Sequence, residues 1–512
     1  MKITRRDFLK SASLYVMGLL GGSLQHGLKR LTGFVGDTPN VILLVFDTLS
    51  ARHLSLHGYP RLTSPNLTRF AEKATVYHRH YAAGNFTSPG TASLLTGTYP
   101  WTHRVFQQAG VLLRRLADQN MFRLFDGPYK KAAFAQNIWA DILLYQFKKS
   151  IDIHVKSTAY SLDEHIHYND GLWEMDPLIA FRSFEDFLEQ DYGIPGSLYF
   201  SFFDKFRTYL ATEYTFKQLQ KEYPRGIPNF IKYKMYFLLE QVFDGVAQEI
   251  SALQKPFIGY YHFWSPHEPY CPNRRFIRIF DDGWNPAPKE PHPLSSHAPV
   301  EELNQSRREY DEYVANVDAE FGRLYDYLQD SGILDTSYLI VTSDHGQMFE
   351  RGVNGHVTPL LSEAIIHVPL IISAPGQADR QDIVSPTSCV DLLPTLLKIT
   401  GGSVPDWLDG NVLPGFGGEE TVGQPIYAIE AKKNPARSPL TQGTIAMIQG
   451  DYKLIWYIGY SGYDNVYELY NLETDPEELV DLSKTQSGLV LSMGNELKTR
   501  LAEADQPYRV KV

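Results

Sequence analysis

Residues 41–47 of the chain read Val41-Ile42-Leu43-Leu44-Val45-Phe46-Asp47, an apolar run that ends in a carboxylate. A run that is apolar at every position predicts a strand buried on both faces of a parallel sheet. A second run, Tyr338-Leu339-Ile340-Val341-Thr342, repeats the pattern and precedes Ser343-Asp344-His345-Gly346. Because sites in open α/β sheets lie beyond the carboxyl ends of the strands, we expect Asp47, Asp344 and His345 to share one site.

The segment before the second run has helical spacing. Its apolar residues recur every three or four positions from Tyr310 to Leu328, and Gly332 supplies a stop signal. A helix followed by a buried strand predicts an α/β fold with a large central, mostly parallel sheet flanked by helices.

The chain changes character near residue 424, and its last part predicts a small α+β sheet domain. The elements expected there are a hairpin from 445–448 and 452–457, a strand at 466–472 and a closing helix at 489–504. We therefore divide the chain into an amino-terminal segment, a main domain and a carboxyl-terminal domain, at residues 1–36, 37–423 and 424–512. Within the main domain, the Pro-rich stretch 285–299 predicts a surface loop.

The amino terminus has the pattern of an export signal. Thr4-Arg5-Arg6-Asp7-Phe8-Leu9-Lys10 precedes an apolar stretch at 11–22, which predicts a twin-arginine signal and an encounter with the translocation machinery. An exported, periplasmic or cell-surface location follows, with membrane anchoring as the outcome if the segment is retained. The alternative is a core helix behind a chance basic terminus. The net charge of −11 argues against a nucleic-acid partner.

Residues 106–255 are rich in Phe and Tyr, for example at 199–203, and are predicted to be an insert. Helical packing and a lid or apolar wall over the substrate are both open interpretations of this insert. The chain has two cysteines, Cys271 and Cys389. We expect both to be buried and unpaired, because two cysteines far apart in sequence are weak evidence for a disulfide.

Asp47, Asp344 and His345 offer oxygen and nitrogen ligands for one divalent cation. Carboxylates favour Ca²⁺ or Mg²⁺, whereas a histidine also suits Zn²⁺ or Mn²⁺. The alternative for Ser343-Asp344-His345-Gly346 is a helix cap followed by a turn. The matching carboxylate at the end of the first strand favours metal binding.

Thr87 precedes Pro89, and Pro is favoured in the first turn of a helix. The hydroxyl of Thr87 would then lie at a helix amino terminus, where an anion is stabilised, and beside a cation it could attack phosphorus or sulfur. The alternative is an N-cap threonine that holds the helix. His267 and His356 are candidates for stabilising or protonating the reacting ester, whereas His103 and His262 are interpreted as packed residues.

Taken in order, these segments resemble the sulfatase family of the alkaline phosphatase superfamily. Residues 87–97, Thr-Ser-Pro-Gly-Thr-Ala-Ser-Leu-Leu-Thr-Gly, are similar to the family signature, in which Cys or Ser is followed by x-Pro-x-Arg and Leu-Leu-Thr-Gly. Other matching segments are 39–49, 56–60, 64–67, 266–270, 310–346, 355–356, 368–371, 391–395, 450–455 and 468–476. The resemblance implies an alkaline phosphatase/sulfatase-like fold in which residues 37–423 form the catalytic domain.

The resemblance also implies a metal-assisted hydrolase of sulfate or phosphate esters. Its cofactor would be one divalent metal ion (Ca²⁺, Mg²⁺, Mn²⁺ or Zn²⁺). The residues carried over are Asp47, Asp344, His345 and Thr87 at the metal, Thr87 as nucleophile, His267 at the transferred group and His356 at the leaving group.

Three positions depart from the family pattern. Thr87 cannot become formylglycine, which is made from Cys or Ser, so no formylglycine is expected. Thr91 replaces the Arg that orients the nucleophile, and Thr48 replaces a second Asp. For the family's substrate-binding lysines, the candidates are Lys130 and Lys131.

A threonine nucleophile with Asp and His ligands looks like the phosphodiesterases, phosphonate hydrolases and phosphoethanolamine transferases of the superfamily. The leading hypothesis is an exported hydrolase acting on a small-molecule ester or on an ester of a glycan or lipid head group. One alternative is a transferase that moves the head group to an alcohol. Another is a binding protein of the same fold without catalytic activity.

Overall fold

The computed structural model describes residues 38–125, 127–162, 216–230, 235–420 and 423–509. Contacts divide the chain into Met1–Pro39 and Asn40–Val512, and every element given below belongs to the second unit. The predicted twin-arginine segment and the aromatic run at 199–203 lie outside the described residues. None of the described helices combines the length and the apolar character needed to cross a bilayer.

The described part of the chain contains a central sheet of eight strands. Along the sheet the order is β8-β2-β7-β6-β1-β5-β3-β4, and all neighbours are parallel except β7, which runs antiparallel to β2 and β6. The mostly parallel sheet confirms the predicted α/β class. The strands are β1 Asn40–Phe46, β2 Thr75–Tyr77, β3 Lys130–Ala135, β4 Ile153–Val155, β5 Phe257–Phe263, β6 Ser337–Ser343, β7 Leu370–Ser373 and β8 Gln381–Ile383.

Register brings the ends of the three central strands together. Phe46 at the end of β1 pairs with Phe263 of β5 on one side and with Ser343 of β6 on the other. Asp47 and Asp344 are therefore the next residues along two adjacent parallel strands. This arrangement confirms that the two carboxylates share one edge of the sheet.

Helices cover both faces of the sheet, as predicted. Alternate residues of β1 belong to two different apolar cores, Val41 to the one that includes α2, α3, α6 and α7, and Ile42 to the one that includes α1, α4 and α5. The continuous apolar run in β1 follows from this burial on both faces. The helices are α1 Pro65–Ala71, α2 Thr87–Thr96, α3 Ile138–Phe147, α4 Leu239–Ala252, α5 Val300–Asp330, α6 Leu392–Ile399 and α7 Ser487–Asp505, with shorter ones at Pro100–His103, Met121–Leu124 and Glu363–Ile366.

A second sheet forms the carboxyl-terminal part of the fold. Its four strands are antiparallel in the order β9-β10-β11-β12, and α7 packs against β10 and β11. These elements confirm the predicted hairpin, strand and closing helix. Their bounds are β9 Ile426–Glu430, β10 Gly443–Gln449, β11 Tyr452–Ile458 and β12 Val466–Asn471. Two-stranded ribbons pair Met348–Glu350 with Val353–Gly355, His80–Tyr81 with Thr387–Ser388 and Asn229–Phe230 with Met235–Tyr236.

The prediction of an insert over 106–255 is wrong for the parts that the structure describes. This stretch supplies β3 and β4 of the central sheet, together with α3 and α4. The strand β3 was not recognised because its sequence, Lys-Lys-Ala-Ala-Phe-Ala, lacks the β-branched run that signals a buried strand. The loop at 285–299, in contrast, has neither helix nor strand, as predicted.

Candidate active site

Two carboxylates and a histidine meet where β1 and β6 end. The His345 Nε2 atom lies 3.4 Å from Asp47 Oδ1 and 3.6 Å from Asp344 Oδ2, and all three side chains are fully buried. The expectation that these three residues come together is confirmed. The backbone N–H groups of Thr48 and His345 donate to Asp344 Oδ1, which holds this carboxylate in place.

His262, which was interpreted as a packed residue, is fully buried and also joins this cluster. Its Nε2 atom lies 3.8 Å from Asp47 Oδ2 and 3.6 Å from Asp344 Oδ2. His262 is the penultimate residue of β5 and pairs with Val45 of β1, so its side chain emerges at the edge where the two carboxylates meet. A histidine at the end of a predicted buried strand was the signal that could have indicated this.

The four side chains that meet here leave polar atoms without hydrogen-bond partners among the described residues. These atoms are Asp47 Oδ1, Asp344 Oδ2, His262 Nε2 and His345 Nε2. The Nδ1–H of His345 donates to the Gly346 carbonyl at 3.0 Å, so its Nε2 faces the carboxylates with a lone pair. Acceptors that face one another in a buried site fit a cation, and Asp47, His262 and Asp344 offer ligand atoms that lie within 4.8 Å of one another. His345 Nε2 lies beside both carboxylates of this set.

Electrostatics supports the same interpretation. Burial raises the pKa of both Asp47 and Asp344, and the Asp344 charge raises that of Asp47 further. Hydrogen bonds from Asn137 and Thr87 oppose the rise at Asp47. Burial lowers the pKa of His345 to about 3, which keeps this imidazole neutral. A bound cation would favour the ionised carboxylates and neutral imidazoles that metal ligands require.

Thr87 begins helix α2, as predicted, and is connected to the carboxylate cluster by Asn137. The Asn137 Nδ2 group donates to Thr87 Oγ1 at 3.1 Å and also to Asp47 Oδ2. The Asn137 Oδ1 atom accepts from the Trp139 N–H at 2.9 Å and so caps α3. Sequence reasoning missed Asn137 because it follows β3, the strand that went unrecognised.

His267 and His356 lie beside this cluster. Their ring centroids are 4.9 Å apart, and the His356 ring is 4.5 Å from that of His345. The Nδ1–H of His356 donates to Gln347 Oε1, and that of His267 donates to the Glu268 carbonyl. Each ring therefore keeps its Nε2 atom free of a proton. Burial lowers the pKa of His267 to about 4 and that of His356 well below its usual range.

The candidate lysines Lys130 and Lys131 lie at the amino-terminal end of β3, opposite the strand ends that carry the cluster. Lys130 pairs with Phe257 at the start of β5, whereas Ala135, five residues later, pairs with His262. At about 3.3 Å per residue, this separates the backbone of Lys130 from His262 by roughly 16 Å along the strand and that of Lys131 by roughly 13 Å. They are not placed to contact an ester at Thr87.

Another cation, Lys432, acts on the site from the carboxyl-terminal sheet. Its positive charge contributes to the lowered pKa of His356. Lys432 follows β9, where the Ile429 N–H donates to the Ala83 carbonyl at 2.8 Å, four residues before Thr87. Nothing in the sequence around Lys432 indicates this role, which depends on how the second sheet packs.

His103 and the two cysteines are buried, as predicted. His103 is buried, accepts the Val105 N–H at Nδ1 and donates from Nε2 to Ser93 Oγ. Cys271 and Cys389 are both buried and unpaired. These residues are part of the packing of the fold.

Comparison with known proteins matches nearly the whole described fold. The sulfatase family model matches residues 39–402, and a model described as N-sulphoglucosamine sulphohydrolase, C-terminal, matches 358–506. A choline-sulfatase of Rhizobium meliloti (strain 1021) is 24% identical over 478 residues, covering 88% of this chain and 84% of that protein. An N-acetylgalactosamine-6-sulfatase of Canis lupus familiaris is 22% identical over 404 residues, covering 76% of this chain and 68% of that protein.

Solved structures have the same fold at low sequence identity. The phosphonate monoester hydrolase of Agrobacterium radiobacter aligns with a TM-score of 0.64 at 19% identity, over 91% of this chain and 96% of that one. A protein solved with its substrate D-glucosamine-2-N,6-O-disulfate aligns with a TM-score of 0.61 at 17% identity, over 92% and 98%. The sulfatase family model spans both strand ends that carry Asp47 and Asp344 as well as helix α2. The chain therefore belongs to the sulfatase family of the alkaline phosphatase superfamily and is a hydrolase of ester bonds.

Proposed function

We propose that the protein is a metal-dependent hydrolase of sulfate or phosphate esters in which the Thr87 hydroxyl attacks the ester. One observation carries this proposal: the Asn137 amide holds Thr87 Oγ1 at 3.1 Å while it also donates to Asp47. A hydroxyl held at the start of a helix and beside buried carboxylates supports the assignment of Thr87 as the nucleophile.

Asp47, Asp344, His262 and His345 would hold the metal ion. When bound, a divalent cation favours deprotonation of a neighbouring hydroxyl and withdraws electrons from an ester oxygen. Two histidine nitrogens beside two carboxylates favour Zn²⁺ or Mn²⁺ over Ca²⁺ or Mg²⁺. The Thr87 oxygen, which was itself a candidate ligand, lies next to this set through Asn137 and Asp47.

A threonine favours phosphorus over sulfur as the centre of attack. In the proposed reaction, Thr87 Oγ1 loses its proton and bonds to phosphorus while the bond to the leaving alcohol breaks. The proton of Thr87 passes to solvent and the alcohol leaves with a proton from solvent. Water then hydrolyses the ester on Thr87, which restores the hydroxyl and releases phosphate from a monoester, the remaining monoester from a diester, or a free phosphonate from a phosphonate ester. A sulfothreonine would lack the second hydroxyl with which formylglycine expels sulfate, so we propose phosphate diesters, monoesters or phosphonates ahead of sulfate esters.

The surrounding groups would bind different parts of the substrate. The N–H groups at the start of α2 and the Lys432 ammonium would bind the anionic group that is transferred. His267 would contact the same group, and His356 would face the leaving alcohol. Thr91 stands where the family has an arginine, and Lys432 of the carboxyl-terminal sheet would supply part of the positive charge that this arginine provides.

Turnover of four aryl substrates tests the proposal: a sulfate, a phosphate monoester, a diester and a phosphonate. Metal-stripped protein would be compared with protein reloaded with Ca²⁺, Mg²⁺, Mn²⁺ or Zn²⁺. We expect metal-dependent phosphate or phosphonate cleavage that is abolished in Thr87→Ala. The matched control is Thr96→Ala, a buried threonine at the other end of α2 that should retain activity.

The same assay separates the alternatives. Ester cleavage that survives in Thr87→Ala would point to direct attack by water and overturn the nucleophile. Faster product formation with added alcohol than with water would identify a transferase. Ligand binding without turnover at any metal would identify a binding protein that keeps the fold.

We also propose export through the twin-arginine pathway, on the evidence of the Arg5-Arg6 motif. Fusion of residues 1–36 to a reporter protein should direct it to the periplasm. Replacement of both arginines by lysine should retain the reporter in the cytoplasm. A reporter that stays cytoplasmic with the native segment would contradict export.

A further inference from the structure

Glu268 is an exposed carboxylate beside the candidate active site, and none of the described residues forms an ion pair with it. Among the described residues, its side-chain hydrogen-bond partner is the Gln347 amide, whose Nε2 donates to Glu268 Oε2 at 3.3 Å. The protein around this partly solvent-accessible carboxylate raises the pKa of Glu268 and the Gln347 hydrogen bond lowers it, and no lysine or arginine of the described residues contributes. The site thus presents a negative charge that no lysine or arginine in the described part of the chain neutralises.

Gln347 places this carboxylate on the side of the leaving group. Its Oε1 atom accepts the Nδ1–H of His356 at 2.7 Å, and its Nε2 also donates to the Tyr270 hydroxyl at 2.6 Å. One buried amide therefore connects Glu268 with His356, the residue proposed to face the leaving alcohol. The charge of Glu268 also contributes to the raised pKa of Asp47, so its field extends to the metal ligands.

A carboxylate at this place opposes the binding of a purely anionic ester, because like charges repel. It becomes favourable if the alcohol portion of the ester carries a positive charge. Aromatic residues flank Glu268 in the chain: the ring centroid of His267 lies 3.9 Å from that of Trp264, and Tyr270 accepts from the same Gln347 amide as Glu268. A carboxylate beside aromatic rings is a common arrangement for recognising ammonium groups.

We infer that Glu268 is a specificity residue that binds a positively charged nitrogen on the alcohol portion of the substrate. This inference rests on the proposed ester hydrolysis at Thr87. The shared chemistry is an ammonium alcohol, which an amino-alcohol head group and an amino sugar both supply. The substrate would then bind with its anionic end at α2 and its cationic end at Glu268.

A pair of esters that differ only in charge tests the inference. Choline carries a trimethylammonium group where 3,3-dimethylbutanol carries a neutral tert-butyl group of the same shape. Both would be used as the sulfate and phosphate esters, with the wild-type protein and Glu268→Gln. Glutamine keeps the size of the side chain and an oxygen that accepts from Gln347.

We expect the wild-type protein to prefer the cationic ester by about tenfold in kcat/KM, and Glu268→Gln to abolish most of that preference. The control Glu72→Gln removes the same charge from an exposed site at the end of α1 and should leave the preference as it is. An equal fall in kcat/KM for the cationic and the neutral ester in Glu268→Gln would indicate a structural role and overturn the inference. No preference in the wild-type protein would overturn it as well.

Two further measurements complete the design. Ethanolamine and glucosamine 6-esters, each beside its neutral counterpart, identify which source of the ammonium group is preferred. Calorimetric binding of choline and of 3,3-dimethylbutanol reports on Glu268 without turnover. If no ester is cleaved but choline binds more tightly in a Glu268-dependent way, the proposed hydrolysis fails and the inference stands. If binding shows no difference, the inference fails too.

Discussion

Replacement of Asn137 would test how the nucleophile is held. Its amide donates to both Thr87 Oγ1 and Asp47 Oδ2, and its carbonyl oxygen caps α3. Asn137→Ala removes both functions. Asn137→Asp keeps the shape and the capping oxygen but replaces the donor with a carboxylate that faces Asp47. The two variants therefore separate helix capping from the positioning of Thr87.

The structure sets the expected magnitudes. Loss of a hydrogen-bond donor to a charged group costs about 1.5–3 kcal/mol. If this free energy is lost in the transition state, kcat/KM falls by roughly 10- to 150-fold, since about 1.4 kcal/mol corresponds to a factor of ten. Loss of the cap in Asn137→Ala should destabilise the protein by about 1 kcal/mol. Asn137→Asp should keep the cap and still lose activity, because a carboxylate cannot donate to Asp47.

The assay is kcat/KM on the best aryl substrate, measured beside thermal unfolding and the metal content of each variant. Metal content separates a displaced nucleophile from an impaired metal site. Wild-type activity in Asn137→Asp would refute the positioning role. The role would also be refuted if the loss in Asn137→Ala disappeared after correction for the folded fraction.

Three further predictions concern buried groups. Burial raises the pKa of Glu249 to about 7, so the free energy of unfolding falls as pH rises from about 4.5 through 7. Glu249→Gln should therefore stabilise the protein by about 2 kcal/mol at pH 8, allowing for partial exposure, and raise Tm by a few degrees. At pH 4 it should leave Tm unchanged. Burial lowers the pKa of His103 to about 3, so the free energy of unfolding falls as pH drops below about 6.5. Between pH 7 and pH 5 the wild-type protein should lose about 2 kcal/mol more stability than His103→Gln. An equal dependence of stability on pH in the two proteins would contradict this. Burial raises the pKa of Cys271 to about 11 and that of Cys389 to about 12. A thiol reagent should therefore modify neither cysteine in the native protein and both after unfolding. Rapid labelling of the native protein would show that one of the thiols is accessible.

Much of the fold follows from local sequence signals. The run at 41–46 predicted β1 because a strand covered by helices on both faces must be apolar at every position. The helical spacing from Tyr310 to Leu328 predicted α5, whose buried face packs on the same core. Turn signals and apolar runs after residue 424 predicted the second sheet, although the domain boundary there stays a prediction.

Other elements lacked such signals. The strand β3 begins with Lys130 and Lys131 and continues with alanines, so its burial comes from neighbouring strands and not from its own composition. Missing this strand hid Asn137, and it also left the two lysines as candidates for substrate binding. His262 was interpreted as a packed residue because a single histidine in an apolar strand usually is one.

The sequence by itself determined the α/β class, the placement of Asp47 and Asp344 at strand ends and the start of α2 at Thr87. Each of these depends on residues that are neighbours in the chain, so periodicity and turn chemistry report them. Only the tertiary structure brought His262 and Asn137 to the site and the charge of Lys432 near enough to lower the pKa of His356, from three segments far apart in the chain. Their proximity depends on the register of parallel strands and on the packing of the second sheet, and neither leaves a local trace in the sequence.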